Sequence, residues 1–172
     1  FEPDVAAIEA AITPKTKAIF IGYPSNPTGA VASRETLRKI ADLAVKYDLL
    51  VVSDEVYNRL VYGIEHVCFP ALPGMWERTI LLGGFSKAYA MTGWRIGYVA
   101  APQEITSMMV RVHQFSIMSA PTISQYAALE AIKVGEPYVM EMLAEYDRRR
   151  RLVVKGLNSL GFTTMEPKGA FY

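Results

Sequence analysis

The sequence predicts an α/β fold with three layers around a mostly parallel sheet. Short apolar runs alternate with segments of helical periodicity, which is the pattern that strand–helix–strand units produce. One run, at residues 49–53, is apolar almost throughout and rich in β-branched side chains. Such a run is typical of a strand that is buried on both faces.

The first elements follow in order along the chain. Residues 17–22 are predicted to form a strand, and a loop rich in proline and glycine follows it. Ser33 is placed to cap the next helix, with Glu35 in its first turn. The apolar positions predicted to share one face of this helix are Leu37, Ile40, Ala41, Ala44 and Val45.

The later elements follow the same alternation. Further strands are predicted at residues 49–53, 79–82 and 95–100. Further helices are predicted at residues 102–115, 122–134 and 137–160. Gly161 is expected to end the last helix. Residues 162–172 are then expected to begin another unit with a strand.

Composition excludes several classes of function. The chain has 172 residues, about one domain by length, and its 51% hydrophobic content is enough for a core. A net charge of +1 gives no electrostatic reason to expect nucleic acid or a membrane as a partner. The basic run at residues 148–151 is expected to lie along a helix with its charged groups in water. No apolar run reaches the roughly 20 residues that a membrane span needs.

Cys68 is the only cysteine, so no internal disulfide can form. This fits a reducing compartment, and we expect a cytoplasmic protein. The chain begins at Phe1 and ends at Tyr172 in a strand-like pattern. We interpret it as an internal piece of a longer protein.

Lys87 is the most informative single residue. It follows the apolar run at residues 79–82 and is set among small residues. That setting suits an amine that must attack a carbonyl better than it suits a solvated surface lysine. Arg95, eight residues later, is a permanent cation of the kind that holds phosphate. Together they suggest pyridoxal phosphate chemistry.

Two other polar residues follow predicted strands in the same way. Asn26 comes after the run at residues 18–21, and Asp54 comes after the run at residues 49–52. In open α/β sheets, ligands bind beyond the carboxyl ends of the strands. We therefore expect Asn26, Asp54 and Lys87 to converge on one edge of the sheet.

Three motifs in order carry a family resemblance. They are NPTG at residues 26–29, SDEVY at 53–57 and FSKAYAMTGWRIGY at 85–98. Read together, they resemble the class I and II aminotransferases, the fold type I enzymes that use pyridoxal 5′-phosphate. The resemblance covers nearly the whole chain.

The resemblance implies roles for the catalytic residues. Lys87 is expected to form the Schiff base with the cofactor and then to move the substrate proton as acid and base. Asp54 is expected to keep the pyridine nitrogen protonated. Tyr57 and Asn26 are expected to donate hydrogen bonds to the phenolic oxygen O3′. A cis peptide bond is expected between Asn26 and Pro27.

The cofactor phosphate is expected to bind Arg95 and the hydroxyl of Ser86. The sequence departs from the family pattern here, because many relatives carry a serine three residues before the lysine. This chain has Gly84 at that position. Ser86 or a backbone N–H group is therefore expected to serve instead.

The resemblance also implies an organisation and an activity. Residues 1–136 are similar to part of the large cofactor-binding domain, residues 137–160 to the connecting helix, and residues 161–172 to the start of a small α+β domain. The parent protein is expected to move an amino group between an amino acid and a 2-oxo acid, and to be a homodimer. The isolated segment is expected to be inactive. Independently of the resemblance, part of one Met-rich apolar stretch is expected to face a subunit partner or the substrate entrance, the alternative being that all six residues pack inside one large domain: Met108, Met109, Val112, Phe115, Ile117 and Met118.

Several alternatives remain open. The same fold and cofactor serve carbon–sulfur lyases, cyclopropane-forming synthases and the sensing domains of some transcription regulators. Taken singly, Asn26 could turn the chain, Asp54 could be a solvated strand end, Tyr57 could be core and Lys87 could lie at the surface. Their coincidence at three strand ends favours the catalytic interpretation. His66 and His113, the two histidines, have no partner pattern and receive no role.

Overall fold

A computed structural model describes residues 1–172 and has the predicted α/β architecture. Four strands form one sheet in chain order: β1 (Ala18–Gly22), β2 (Leu50–Asp54), β3 (Thr79–Gly84) and β4 (Gly97–Ala100). The first three strands are parallel to one another, and β4 is antiparallel to β3. The carboxyl ends of β1, β2 and β3 therefore lie at the same edge of the sheet.

Five helices accompany the sheet: α1 (Val5–Ala11), α2 (Arg34–Lys46), α3 (Gln103–Ser116), α4 (Thr122–Val134) and α5 (Glu136–Ser159). The sequence interpretation included all but α1, which Asp4 caps by accepting a hydrogen bond from the Ala7 N–H at 3.1 Å. None of these helices combines the length and the apolar character needed to cross a membrane.

The N-terminus of α2 is capped as predicted. The Ser33 hydroxyl oxygen accepts a hydrogen bond from the Thr36 N–H at 3.2 Å, and Glu35 lies in the first turn. Four of the five predicted core positions are buried, but Val45 is 54% exposed and its prediction was wrong. Leu43 is buried instead. The buried face of the helix is therefore rotated relative to the predicted one, towards Leu43 and away from Val45.

The main core lies between α2 and one face of the sheet. Ile19 and Ile21 of β1 and Val51 of β2 belong to the same buried cluster as the apolar stripe of α2. The opposite face is more open, since Phe20 is 67% exposed and Val52 is only half-buried. The prediction that β2 is buried on both faces was therefore wrong for this chain, because α2 covers only one of them.

The fourth strand is shorter than the predicted range of residues 95–100. Arg95 has a left-handed backbone with φ 51° and ends a short 3₁₀ turn at Thr92–Trp94. A residue in that region of backbone space cannot continue a strand. The strand consequently begins at Gly97, where it pairs with Gly84 of β3.

The strand predicted within residues 162–172 is not formed. Only an isolated bridge between Val61 and Gly169 joins this segment to the rest of the fold as β structure. Pro167 has no N–H to donate, and the next two N–H groups both donate to one carbonyl, that of Gly29. The segment therefore forms no regular ladder, and Ala170 has a left-handed backbone with φ 57°.

The basic run at residues 148–151 lies on α5, with one exception to its predicted exposure. The side chains of three of its arginines are 64% to 71% exposed, whereas Arg150 is only 11% exposed. The guanidinium of Arg150 lies 5.0 Å from the centre of the Tyr62 ring and pairs with Asp147 and Glu166, each at 2.6 Å. Partial burial is stabilised here by two carboxylates and an aromatic face.

Candidate active site

The predicted site residues follow the three parallel strands at one edge of the sheet. Asn26 lies in the loop after β1, Asp54 is the last residue of β2, and Lys87 lies in the turn after β3. Asn26, Asp54 and Lys87 therefore lie towards one edge of the sheet, as the convergence argument predicts. Tyr57, which that argument did not include, lies 3.5 Å from the Asn26 amide, and the Lys87 amine is 5.9 Å from the centre of its ring. No hydrogen bond joins Asp54, Ser86 or Arg95 to Asn26, Tyr57 or Lys87.

Asn26 and Tyr57 converge on a single phenolic oxygen. The Asn26 side-chain amide donates to the Tyr172 hydroxyl oxygen at 3.0 Å and lies 3.5 Å from the Tyr57 hydroxyl oxygen. The Tyr57 and Tyr172 hydroxyl oxygens are 3.1 Å apart. Asn26 is held in this loop with a cis bond to Pro27, as predicted. The Asn26 amide is a donor here, and the Tyr57 hydroxyl can be one, so the site can present two side-chain donors to one acceptor position.

Tyr57 is a buried residue whose hydroxyl group contacts Tyr172 in the candidate site. Only 5% of the residue is exposed, and its ring meets those of Phe171 and Tyr172 edge to face. Burial, followed by the hydrogen bond with Tyr172, raises the pKa of Tyr57 to about 12, and the charge of Asp54 acts in the same direction. Tyr57 consequently keeps its proton at neutral pH and remains a hydrogen-bond donor.

Lys87 sits in a turn that is anchored on both sides. Phe85 and Ala88 are buried beside it, and Phe85 packs with Met91 against Ala128 of α4. The lysine itself is half-buried. Its Nζ atom lies 5.9 Å from the centre of the Tyr57 ring and 5.5 Å from that of Phe171. The amine is thus held against an aromatic wall rather than in open solvent.

Asp54 is half-buried at the end of β2. One of its carboxylate oxygens accepts a hydrogen bond from the Val56 N–H at 3.1 Å, and its backbone carbonyl accepts from the Tyr23 N–H at 3.2 Å. Because side chains alternate along a strand, Asp54 points away from the buried face that Ser53 and Glu55 occupy. Its second carboxylate oxygen makes no hydrogen bond within the chain.

Ser86 and Arg95 lie at the two ends of the predicted phosphate region, and Thr92 connects them. The Arg95 guanidinium donates to the Thr92 carbonyl at 2.9 Å, and the Thr92 hydroxyl donates to the Ser86 carbonyl at 3.1 Å. The remaining N–H donors of the exposed Arg95 make no other hydrogen bond in the chain, so they are free for an anion. A side chain at Gly84 would meet nothing closer than 3.5 Å, so packing does not require glycine there.

Sequence reasoning missed the two aromatic residues at the end of the chain. The ring of Phe171 stacks on Tyr146 of α5 at 5.6 Å, and Tyr172 reaches Asn26. The contacts of Tyr172 with Asn26 and Tyr57 join residues more than a hundred positions apart, and no local pattern signals them. The sequence contains the pair Phe171–Tyr172, but it does not indicate that these residues contact Tyr146 and Asn26.

A second missed feature is a buried carboxylate beside the site. Glu55 is 2% exposed and accepts hydrogen bonds from the Ser53 hydroxyl at 3.0 Å and the Phe69 N–H at 2.8 Å. The Nε2 atom of His66 lies 2.5 Å from its other oxygen. His66 thus has a structural partner that its sequence context did not reveal, and this network holds the loop before Phe69 against the end of β2.

Comparison with curated proteins finds close relatives along the whole chain. The aromatic-amino-acid aminotransferase 2 of Thermococcus litoralis is 47% identical over 175 residues, covering 100% of this chain and 45% of the relative. The aspartate aminotransferase of Pyrococcus abyssi has the same identity and coverage. The chain therefore spans a little under half the length of these relatives.

Solved structures have the same fold. The aromatic aminotransferase of Pyrococcus horikoshii OT3 superposes with a TM-score of 0.95 at 47% identity, covering 99% of this chain and 46% of the other. The Thermus thermophilus aspartate aminotransferase solved with maleate gives 0.93 at 44% identity, covering 98% and 44%. The family model described as aminotransferase class I and II matches residues 1–172. With its motifs, its fold and these relatives in agreement, the chain belongs to the class I and II aminotransferases.

Proposed function

We propose that the whole protein is a pyridoxal-phosphate-dependent aminotransferase that moves an amino group between an amino acid and a 2-oxo acid. One observation carries the proposal: the Asn26 amide and the Tyr57 hydroxyl meet at one phenolic oxygen, and the amine of Lys87 lies 5.9 Å from the centre of the Tyr57 ring. An amine next to two donors for a phenolate is the arrangement that a pyridoxal ring requires.

The residues present fit the cofactor. The two side chains that meet the Tyr172 hydroxyl oxygen would suit the phenolic oxygen of the cofactor ring, because that oxygen is the same kind of acceptor. Tyr57 remains protonated at neutral pH for the reason given above and can donate to an anionic oxygen. When bound, pyridoxal phosphate supplies an aldehyde that joins amines and a ring that withdraws electrons from the carbon beside the amine.

Lys87 is assigned the central role in catalysis. Its half-buried Nζ atom, set over the Tyr57 and Phe171 rings, is positioned to bind the cofactor and then to carry a proton to and from the substrate. The nearby rings restrict access by water to one side of the amine. Restricting water in this way strengthens the electrostatic contacts of the site.

Asp54 is assigned to the pyridine nitrogen. Its free carboxylate oxygen at the end of β2 can accept a hydrogen bond from a protonated ring nitrogen, and its charge favours that protonated form. At the other end of the cofactor, the free N–H groups of Arg95 and the hydroxyl of Ser86 are assigned to the phosphate. The helical turn between them keeps both at the end of β3.

The substrate class and the cell compartment extend the same proposal. Relatives named for aspartate and for aromatic amino acids support amino acids with acidic or aromatic side chains as donors. We assign residues 1–136 to the large domain, 137–160 to the connecting helix and 161–172 to the start of the small domain, because α5 is one continuous helix over Glu136–Ser159. The single unpaired Cys68 supports a cytoplasmic location.

Product analysis of the full-length protein tests this function. The protein is loaded with pyridoxal phosphate and offered one amino acid donor at a time with a 2-oxo acid acceptor, and all products are identified by mass. Transfer of isotopic nitrogen from donor to acceptor supports the proposal. Release of free ammonia or a thiol without transfer would contradict it and favour a lyase.

We also predict that the full-length protein is a symmetric homodimer. The stretch of six apolar residues singled out in the sequence is exposed along and after α3: the exposed fractions run from 37% at Met109 to 95% at Phe115. Contiguous apolar area of this kind is typical of an interaction surface. We therefore expect part of the second subunit to cover it.

Light scattering at micromolar concentration is the measurement of subunit number. Replacing Phe115 with Glu should shift the full-length protein towards monomer, because it places a charge in the apolar surface. Lys155→Glu, at an exposed position on α5, is the control and should leave the dimer intact. A fully active monomer would contradict the dimer, and an unchanged dimer in Phe115→Glu would remove this surface from the interface.

A further inference from the structure

Residues 167–171, which we call the strap, run between two loops of the candidate site. On one side lies the loop that carries Asn26. There the Gly29 carbonyl accepts hydrogen bonds from the N–H groups of Lys168, at 2.8 Å, and Gly169, at 2.9 Å. Two bonds to one carbonyl tie the strap to this loop three residues from the Asn26 side chain.

On its other side, the strap meets the turn that follows Tyr57. The Ala170 N–H donates to the Leu60 carbonyl at 2.8 Å, and the Tyr62 N–H donates to the Lys168 carbonyl at 2.9 Å. The Tyr62 hydroxyl also donates to the Ala170 carbonyl. Ala170 is fully buried in a small cluster with Tyr57 and Leu60. The strap is therefore bonded on both edges, and each edge belongs to a loop that carries one of the two donors.

Two glycines allow this close approach. A Cβ atom on Gly29 would lie 2.3 Å from the Cβ of Pro167, and a Cβ on Gly169 would lie 2.6 Å from the Cβ of Pro24. Both distances are far below van der Waals contact. Gly29 also has a φ of +66°, a conformation that side chains disfavour. Any larger residue at either position must move the strap away from the loop.

We propose that the strap is a positioning element of the site and that Gly29 and Gly169 are positioning residues. They set the distance between the Asn26 and Tyr57 donors, although neither glycine touches the cofactor. This assignment rests on the proposed function for its chemical consequence, but its structural part does not depend on it.

The loop that carries Asn26 is closed tightly enough to transmit such a movement. The Ser25 N–H donates to the Ala30 carbonyl at 2.8 Å, and the Gly29 N–H donates to the Ser25 carbonyl at 2.9 Å. Because these bonds close the loop on itself, a shift of Gly29 carries Asn26 with it. Phe171, at the end of the strap, has its ring centre 5.5 Å from the Lys87 amine. The strap therefore lies next to Lys87 as well as next to the loops that carry Asn26 and Tyr57.

The first test uses hydrogen exchange and needs no cofactor. Gly169→Ala in the full-length protein should make the amides of residues 25–30 and 57–62 exchange at least about tenfold faster, because the strap loses its bonds to both loops. Gly156→Ala is the matched control, since an added Cβ there meets nothing within 4 Å. Unchanged exchange in Gly169→Ala would overturn the proposal. Pro167→Gly, which loosens the strap without a collision, should show a smaller increase in the same peptides.

The second test measures the donors through the bound cofactor. Gly29→Ala should weaken the affinity for pyridoxal phosphate by about tenfold, the loss expected from one hydrogen bond to a charged oxygen. It should also shift the pH titration of the cofactor's visible absorption. Gly74→Ala is the control for backbone strain, because Gly74 has a similar φ of +73° but no neighbour within 4 Å.

The outcomes distinguish a failure of the positioning role from a failure of the proposed function. Identical affinity and titration in Gly29→Ala and Gly74→Ala would overturn the positioning role. Recovery in the double variant Gly29→Ala with Pro167→Gly would support it, because the nearest colliding atom is removed. If the unaltered protein binds no pyridoxal phosphate, the proposed function fails. Hydrogen exchange then remains the test of whether the strap positions the two loops.

Discussion

Replacing Lys87 with alanine in the full-length protein is expected to abolish amino-group transfer, with a loss of at least about 10³-fold in rate. Lys87 is the only lysine whose amine lies against the Tyr57 and Phe171 rings. The expected loss follows because positioned acid–base groups each contribute about 10²- to 10⁴-fold and the covalent link to the cofactor is lost as well. Lys87→Arg should be as inactive, because it keeps the charge without the reactive amine.

Borohydride reduction followed by peptide mapping identifies the lysine directly. The full-length protein loaded with pyridoxal phosphate should carry the pyridoxyl group on Lys87. Lys155→Ala, at an exposed position on α5, is the control and should keep both the label and the activity. Labelling of a different lysine would refute the assignment. Cofactor retained without a covalent bond in Lys87→Ala is compatible with it, because the other contacts remain.

Replacing Asp54 with asparagine should slow removal of the substrate proton by about 10²- to 10³-fold. This is the loss typical of removing one positioned electrostatic contact. Asparagine keeps an oxygen that can accept the hydrogen bond from the Val56 N–H, so the end of β2 should keep its shape. The loss would then report the missing charge rather than a disturbed fold. Asp54→Ala should be at least as slow.

The measurement is the rate of proton exchange at the α-carbon of the donor, followed with deuterated amino acid. Asp42→Asn serves as the control because Asp42 lies on the exposed face of α2, away from the sheet edge. Near-normal exchange in Asp54→Asn would remove Asp54 from the mechanism. Circular dichroism should be unchanged in both variants, which separates a chemical effect from unfolding.

The elements that the sequence predicted well are those whose pattern is local. The helix α2 has a capping serine, an acidic first turn and an apolar stripe, and all three are features of one short segment. The strands β1, β2 and β3 are short apolar runs, and a polar site residue ends the second and follows the other two within four positions. Prediction was weaker where the neighbour decides the structure. Val45 is exposed and β2 has one open face, because burial depends on what packs there.

The site was predictable in part for the same reason. Parallel strands place their carboxyl ends at one edge, so Asn26 and Lys87 could be brought together from their positions alone. The role of Tyr172 could not be predicted, because its contact with Asn26 spans 146 positions of sequence. The pairing of His66 with Glu55 also depends on how a loop folds back over a strand end. The roles of Ser86 and Arg95 stay predictions.

The inward orientation of Arg150 restricts how α5 can change in length. Val139, which is 2% exposed, and Arg150 lie eleven residues apart. Eleven residues make just over three whole turns, so both face the same side of the helix. One residue inserted between them would rotate the later half by about 100° and take Arg150 away from Tyr62. Insertions of seven or eleven residues would nearly restore the angle, but the rise of about 1.5 Å per residue would carry Arg150 roughly 10 or 16 Å along the axis. The contact with Tyr62 therefore fixes both the angle and the length of α5 between these two residues.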